Sequence, residues 1–314
     1  MIKMHGVLKD RETVLYPRVA GDRNLLRAVV QIARPSHWVK NLFVVAPLLF
    51  GGLPTWQAAL RAVWAFGCFC LLASGIYCLN DVIDAPADRL HPRKRQRPVA
   101  SGAIPVPAAL ALAAVLIGTA LLGGRALSPR FVLIGGLYVL NNLIYFAYLK
   151  HRVIVDVLLI AIGFVLRILA GCAALGLQPS PWILACGFSL ALLLGFGKRR
   201  LEVDAVGLAT GYRRSLQAYS AAKLNLLLGI TASVCLLSYM LYTVSPQTIQ
   251  RHGTENLIYT VPLVAYGIFR YLFQVQEGRC DGPVEVLLHD PVFTLIGLAW
   301  IAMVGAILFI PSFR

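Results

Sequence analysis

The stretch "AVWAFGCFCLLASGIYCLNDVIDAPADRLHPRKRQRP", residues 62–98, holds two incompatible solvents in one segment. Residues 62–79 carry no charge and are long enough to reach across most of a bilayer as a helix. Asp81, Asp84 and Asp88 then fall within eight positions, and Arg89, Arg93, Lys94, Arg95 and Arg97 follow. A hydrocarbon-soluble helix that ends in a cluster of both signs reads as a membrane span opening on a polar site. Acidic groups near membrane depth are costly, so they default to functional sites.

The rest of the chain has the same character. It has 314 residues, is 58% hydrophobic and only 14% charged, against about 25% charged in a typical soluble domain. Mean hydropathy is +0.72. Apolar runs near 20 residues recur at about 36–53, 62–82, 105–123, 130–148, 153–175, 181–197, 222–244, 257–275 and 291–311. The expectation is an all-α polytopic membrane protein with nine transmembrane helices. Barrel-type alternation is absent. A basic N-terminal segment, 1–33, precedes a single membrane domain over 34–314. Residues 1–27 lack an apolar core and do not read as a cleavable signal peptide.

Charge sets the orientation. The N-terminal segment and the connections after spans 2, 4, 6 and 8, with the span ends beside them, hold 23 of the 29 Lys and Arg. The positive-inside rule makes that side cytoplasmic, the expected membrane being the bacterial inner membrane. The net charge of +15 follows from this asymmetry, not from a nucleic-acid partner. The seven cysteines, mostly within apolar runs, read as small buried hydrophobes. His37, His91, His151 and His289 lack ligand spacing and read as interfacial polar residues.

The polar loops are concentrated on one face, where the site is expected. Asn80, Asp84 and Asp88 recur at i, i+4, i+8, one face of a helix, although Pro86 threatens to break that face near Asp88. Crowded carboxylates repel and need a cation. Mg²⁺, a hard ion that shares its shell with phosphate oxygens, answers that need with Asn80, Asp84 and Asp88 as ligands. Lys94, Arg95 and Arg97 are placed to hold the outer oxygens of a diphosphate.

"NDVIDAPAD", residues 80–88, resembles the first motif of the UbiA superfamily of intramembrane prenyltransferases. "RPSHWVKN" (34–41), "NDVIDAPADRLHPRKRQRPVASG" (80–102), "YFAYLKH" (145–151), "GFVLRILAG" (163–171), "GKRRLEV" (197–203), "FRYLFQV" (269–275) and "GPVEVLLHD" (282–290) are similar to its decaprenyl-phosphate phosphoribosyltransferase branch. The resemblance implies nine helices around a cytoplasm-facing cavity. It implies transfer of 5-phosphoribose from phosphoribosyl pyrophosphate to a polyprenyl phosphate.

Most superfamily members carry a second Asp-rich cluster after span 6. Here that connection, "GKRRLEVDAVGLATGYRR", is basic. After span 4 stand Tyr145 and Lys150, suited to phosphate or a ribose hydroxyl, and Asp156. On this reading Mg²⁺ stabilises the leaving pyrophosphate, helped by Lys150 and Arg95. Asp81 or Asp156 lies near the cationic ribose ring. Lys40, Lys198 and Arg199, with Arg34 and Arg200, are candidates for the acceptor phosphate. Arg167, inside span 5, is either a substrate ligand or half of a structural pair. The alternative is a UbiA-type enzyme moving an isoprenyl group from its diphosphate to an aromatic acceptor. A CDP-alcohol phosphotransferase lacks its signature here, and a transporter lacks its repeated halves. Oligomeric state stays open, homo-oligomers included.

Overall fold

The computed structural model describes residues 22–51, 55–92, 94–206, 219–278 and 290–310. Side chains of 22–24 and 204–206 are outside the description, as are Glu285, His289 and residues 1–21. All regular structure among the described residues is helical.

α1 spans Asp22–Ala33 and buries Ala28 and Ile32 against the third helix. A 3-10 segment, Pro35–Asn41, leads into α2, Leu42–Phe50. α3 is Trp56–Arg89, α4 Val106–Gly124, α5 Pro129–Ile144 and α6 Val155–Leu175. α7 is Pro181–Val206, α8 Ala221–Val244, α9 Pro246–His252, α10 Val261–Gln276 and α11 Pro291–Phe309. Side-chain oxygens of Thr55, Ser128, Ser220 and Asp290 cap α3, α5, α8 and α11 by accepting free first-turn amides.

Eight segments among the described residues are long and apolar enough to cross a membrane: Trp56–Arg89, Val106–Gly124, Pro129–Leu149, Val155–Leu175, Pro181–Val203, Ala221–Val244, Asn256–Gln276 and Pro291–Phe309. They coincide with the expected spans 2 to 9, and the chain is a multi-pass membrane protein. The first expected span, 36–53, is not a continuous helix. It breaks at Asn41, with Pro35 opening the 3-10 segment and Pro47 inside α2. Arg34, at φ 51°, turns the chain between α1 and that segment. The broken segment still runs beside α6 from the Asp-motif end to the far end. Asn41 touches Arg167 near the middle of α6, and Gly51 lies against Leu177 beyond its end.

α3 and α6 are the most enclosed of the spanning helices, whereas α4, α5 and α11 turn most of their surface outward. Between α3, α5 and α6 pack Phe69, Leu72, Phe131, Tyr138 and Leu166. A second cluster, Leu193, Leu224, Leu228, Ile268 and Tyr271, joins α7, α8 and α10. Pro86 does not break α3, because the helix continues to Arg89. Asn80, Asp84 and Asp88 therefore share one continuous helix.

α2 meets α6 backbone to backbone. A Cβ on Gly171 would lie 2.1 Å from the Val44 carbonyl oxygen. Gly171→Ala should force the helices apart and cost about 1–3 kcal/mol. A lower unfolding midpoint of the purified protein in detergent, with α2 first to lose amide protection, is the expected result.

Candidate functional site: a charge-paired acidic motif

The acidic motif does not gather around one point. Each carboxylate faces a basic side chain from elsewhere in the chain. Asp81, almost fully buried, pairs with Arg34 and lies 3.9 Å from Arg97. Lys150 donates to Asp84 at 2.8 Å. Arg97 donates to Asp88 at 2.6 Å. Protein cations thus relieve part of the repulsion that sequence spacing implies. Among the described residues no group of three His, Cys, Asp or Glu is arranged to hold a metal. The donor chemistry of Asn80, Asp84 and Asp88 nevertheless fits a hard divalent ion shared with a substrate. Asn80 is half-buried, and among the described residues its amide makes no side-chain hydrogen bond.

Lys150 owes its place to two local distortions. Tyr145–Leu149 winds as a π-helix, with the Lys150 amide donating to the Tyr145 carbonyl at 2.9 Å. Such π segments recur at functional sites. Ile154, just before α6, adopts φ 69°, a positive value that a β-branched residue rarely takes. Tyr145 stands half-buried on the π turn, and Lys94 and Arg95 are exposed on the loop after α3.

The 3-10 segment carries His37, Lys40 and Asn41 toward the same end. Trp38 fixes it by donating to Ser74 at 3.1 Å, and Ser74 donates to the Ala33 carbonyl at 2.9 Å. Lys198, Arg167 and Arg34 act on Lys40 as nearby cations. The charged neighbours of His37 are Lys40, Arg34, Lys198 and Arg97. Lys198 is exposed and lies 3.9 Å from Glu202. Positive charge therefore exceeds negative charge here, the electrostatic signature of an anion site.

Arg167 is buried and forms no ion pair among the described residues. It donates to Asn41 Oδ1 at 2.8 Å, the Gly163 carbonyl at 2.9 Å and Tyr138 Oη at 2.9 Å. Its guanidinium sits 4.7 Å from the Tyr138 ring centroid and 5.3 Å from that of Phe164. Neutral acceptors and ring faces hold it, so its charge is uncancelled. Asn41 of the 3-10 segment, Tyr138 of α5 and Gly163 of α6 thus anchor the Arg167 side chain.

Asp156 and Arg199 are brought together as a buried pair. Asp156 is fully buried. Its Oδ2 accepts from Arg199 Nε at 2.8 Å, and its Oδ1 accepts from the Val157 amide at 2.9 Å and from Tyr219 Oη at 3.3 Å. Arg199 also pairs with Glu202. The expectations of Asp156 as a ring carboxylate and Arg199 as a phosphate ligand meet two groups already bonded to each other. Asn41, Tyr138 and Tyr219 escaped the sequence reading. Asn41 and Tyr138 belong to otherwise apolar surroundings, and Tyr219 follows a long polar connection with no periodicity.

With this geometry in view, likeness to known proteins is informative. Residues 41–282 match the UbiA prenyltransferase family. The chain belongs to that family. It is 34% identical over 291 residues to the decaprenyl-phosphate phosphoribosyltransferase of Mycobacterium tuberculosis, covering 90% of this chain and 95% of that protein. It is 33% identical over 304 residues to the Corynebacterium glutamicum protein of the same name, covering 93% and 90%. Among solved structures, a UbiA homolog from Archaeoglobus fulgidus bound to GPP and Mg²⁺ superposes with TM-score 0.68 at 18% identity. That match covers 90% of this chain and 99% of the homolog, and it establishes the shared fold.

Arg199→Met should strand the buried Asp156 carboxylate and cost about 3–5 kcal/mol. Asp156→Asn combined with Arg199→Met should recover much of that loss. Thermal unfolding of the two variants in detergent checks the expected order.

Proposed function

We propose that this UbiA-family protein transfers 5-phosphoribose from phosphoribosyl pyrophosphate to a polyprenyl phosphate and releases pyrophosphate. The observation that carries the reading is the near-full-length identity of 31–34% to decaprenyl-phosphate phosphoribosyltransferases. The charge pattern supports it independently. Both substrates are polyanions, and the motif end offers more fixed cations than acids. The alternative, isoprenyl transfer to an aromatic acceptor, wants a second acidic cluster, and the α7–α8 connection is basic.

On this reading the motif end faces the cytoplasm of a bacterial inner membrane, as the distribution of Lys and Arg requires. Residues 34–314 form the single catalytic domain. Asn80, Asp84 and Asp88 would hold a divalent ion, Mg²⁺ by preference for all-oxygen donors, and that ion would supply charge neutralisation for the departing diphosphate. Lys150 and Arg97, now on Asp84 and Asp88, lie within reach of phosphate oxygens entering there. Lys94 and Arg95 add exposed cations at the loop.

The acceptor phosphate is already anionic and needs no general base. Lys40, with Lys198 and Arg34 as neighbours, holds it, and the buried charge of Arg167 raises the attraction from below. Asp81, bound to Arg34, keeps that guanidinium oriented. As positive charge grows on the ribose ring and negative charge on the leaving group, fixed charges placed beforehand need not reorganise, which is where such sites gain rate.

Membranes containing the protein, incubated with labelled phosphoribosyl pyrophosphate, polyprenyl phosphate and Mg²⁺, should yield a labelled organic-soluble product. Asp84→Ala should lower the rate by about 100-fold or more while the protein remains folded. Labelled product from isoprenyl diphosphate and an aromatic acid, with none from the phosphoribosyl donor, would refute the assignment.

A further inference from the structure

The turn between the π-helix and α6 is held in a strained shape from outside. Ile154 has φ 69° and ψ −46°, and the Val155 amide donates to the Val153 carbonyl at 2.8 Å. This is a γ-turn of the rare, strained hand, on a β-branched residue. Such a conformation persists only when its surroundings impose it, and it clusters at functional sites.

Its surroundings are identifiable. The Ile154 amide donates to Tyr219 Oη at 2.6 Å. Tyr219 comes from the entry to α8, 65 residues further along the chain. Its hydroxyl in turn donates to Asp156 Oδ1 at 3.3 Å, and Asp156 is locked by Arg199. Burial pushes the Tyr219 phenol up to about 12, so the hydroxyl keeps its proton and donates at neutral pH. The ring packs with Leu201 and Leu224. Four residues before Ile154 stands Lys150, whose ammonium reaches Asp84.

We propose that Tyr219 is a positioning residue, whose hydroxyl clamps the strained turn at Ile154 and so sets where Lys150 presents its charge at Asp84. The inference rests on the phosphoribosyl-transfer reading for its activity readout. Tyr219 touches no substrate. It acts through the backbone of residues 150–154, and it ties the α7–α8 connection to the acidic motif. Without the clamp the turn relaxes to negative φ and carries Lys150 away from the diphosphate.

The test uses the full chain in detergent or membranes, with Tyr219→Phe and the pair Tyr219→Phe plus Ile154→Gly. Phenylalanine keeps the ring and removes only the hydroxyl. Glycine takes positive φ without strain, so the turn no longer needs a clamp. Tyr219→Phe should lower kcat by about tenfold to a hundredfold with the KM for polyprenyl phosphate unchanged. Adding Ile154→Gly should restore most of the loss. A purely packing role would show wild-type kcat in Tyr219→Phe, or a loss that glycine does not repair, and either result overturns the proposal. Amide hydrogen exchange over residues 150–156 provides a readout free of any substrate. It should quicken in Tyr219→Phe, stay fast at residue 154 in both variants because that amide has lost its acceptor, and slow again at residues 152, 155 and 156 in the double variant; unchanged exchange in Tyr219→Phe overturns the clamp. Absence of transfer by the wild-type protein would instead defeat the functional reading, with exchange still deciding the clamp.

Discussion

Ionised groups in a membrane domain must find partners inside the protein, because hydrocarbon offers none. That constraint organises one end of this bundle. Arg34 reaches Asp81, Lys150 reaches Asp84, Arg97 reaches Asp88 and Arg199 reaches Asp156. The partners come from the chain before α2, the π turn after α5, the loop after α3, and α7. Each pair therefore fastens an element to the motif end, and the site is assembled by the same contacts that neutralise it. Arg167 meets the constraint differently, through neutral oxygens and aromatic faces.

The pairing leaves a surplus of one sign. Lys198, Arg167 and Arg34 crowd Lys40 with like charge, and among the described residues no carboxylate pairs with the buried Arg167. A polyanion brings what is missing. The fold is shared with a GPP-binding archaeal homolog, so the bundle alone does not choose a substrate. The choice lies with side chains at the motif end, where Lys150 stands beside the acidic motif.

Much of this was legible in sequence. Spans 2 to 9 emerge from apolar length, since a helix crossing hydrocarbon must satisfy its own backbone. The i, i+4, i+8 face of Asn80, Asp84 and Asp88 survives because Pro86 is accommodated within α3. The broken first span was not legible, because hydropathy registers composition and not the left-handed turn at Arg34. Nor was the pairing of acids with bases. Asp84 and Lys150 are 66 residues apart, Asp81 and Arg34 are 47 apart, and only the folded bundle brings them within reach. The pairing of Asp156 was hidden for the same reason. Its proximity in sequence to Lys150 suggested the site, while its actual partner, Arg199, is 43 residues away.

The central claim is that the acidic motif and its paired cations together receive a metal-bound diphosphate. Calorimetric titration of the purified protein with pyrophosphate, with and without Mg²⁺, tests it most directly. The account predicts binding at least about tenfold tighter with Mg²⁺, a difference of about 1.4 kcal/mol, and loss of that difference in Asp84→Ala. Equal affinity with and without the metal, unchanged by Asp84→Ala, would contradict it.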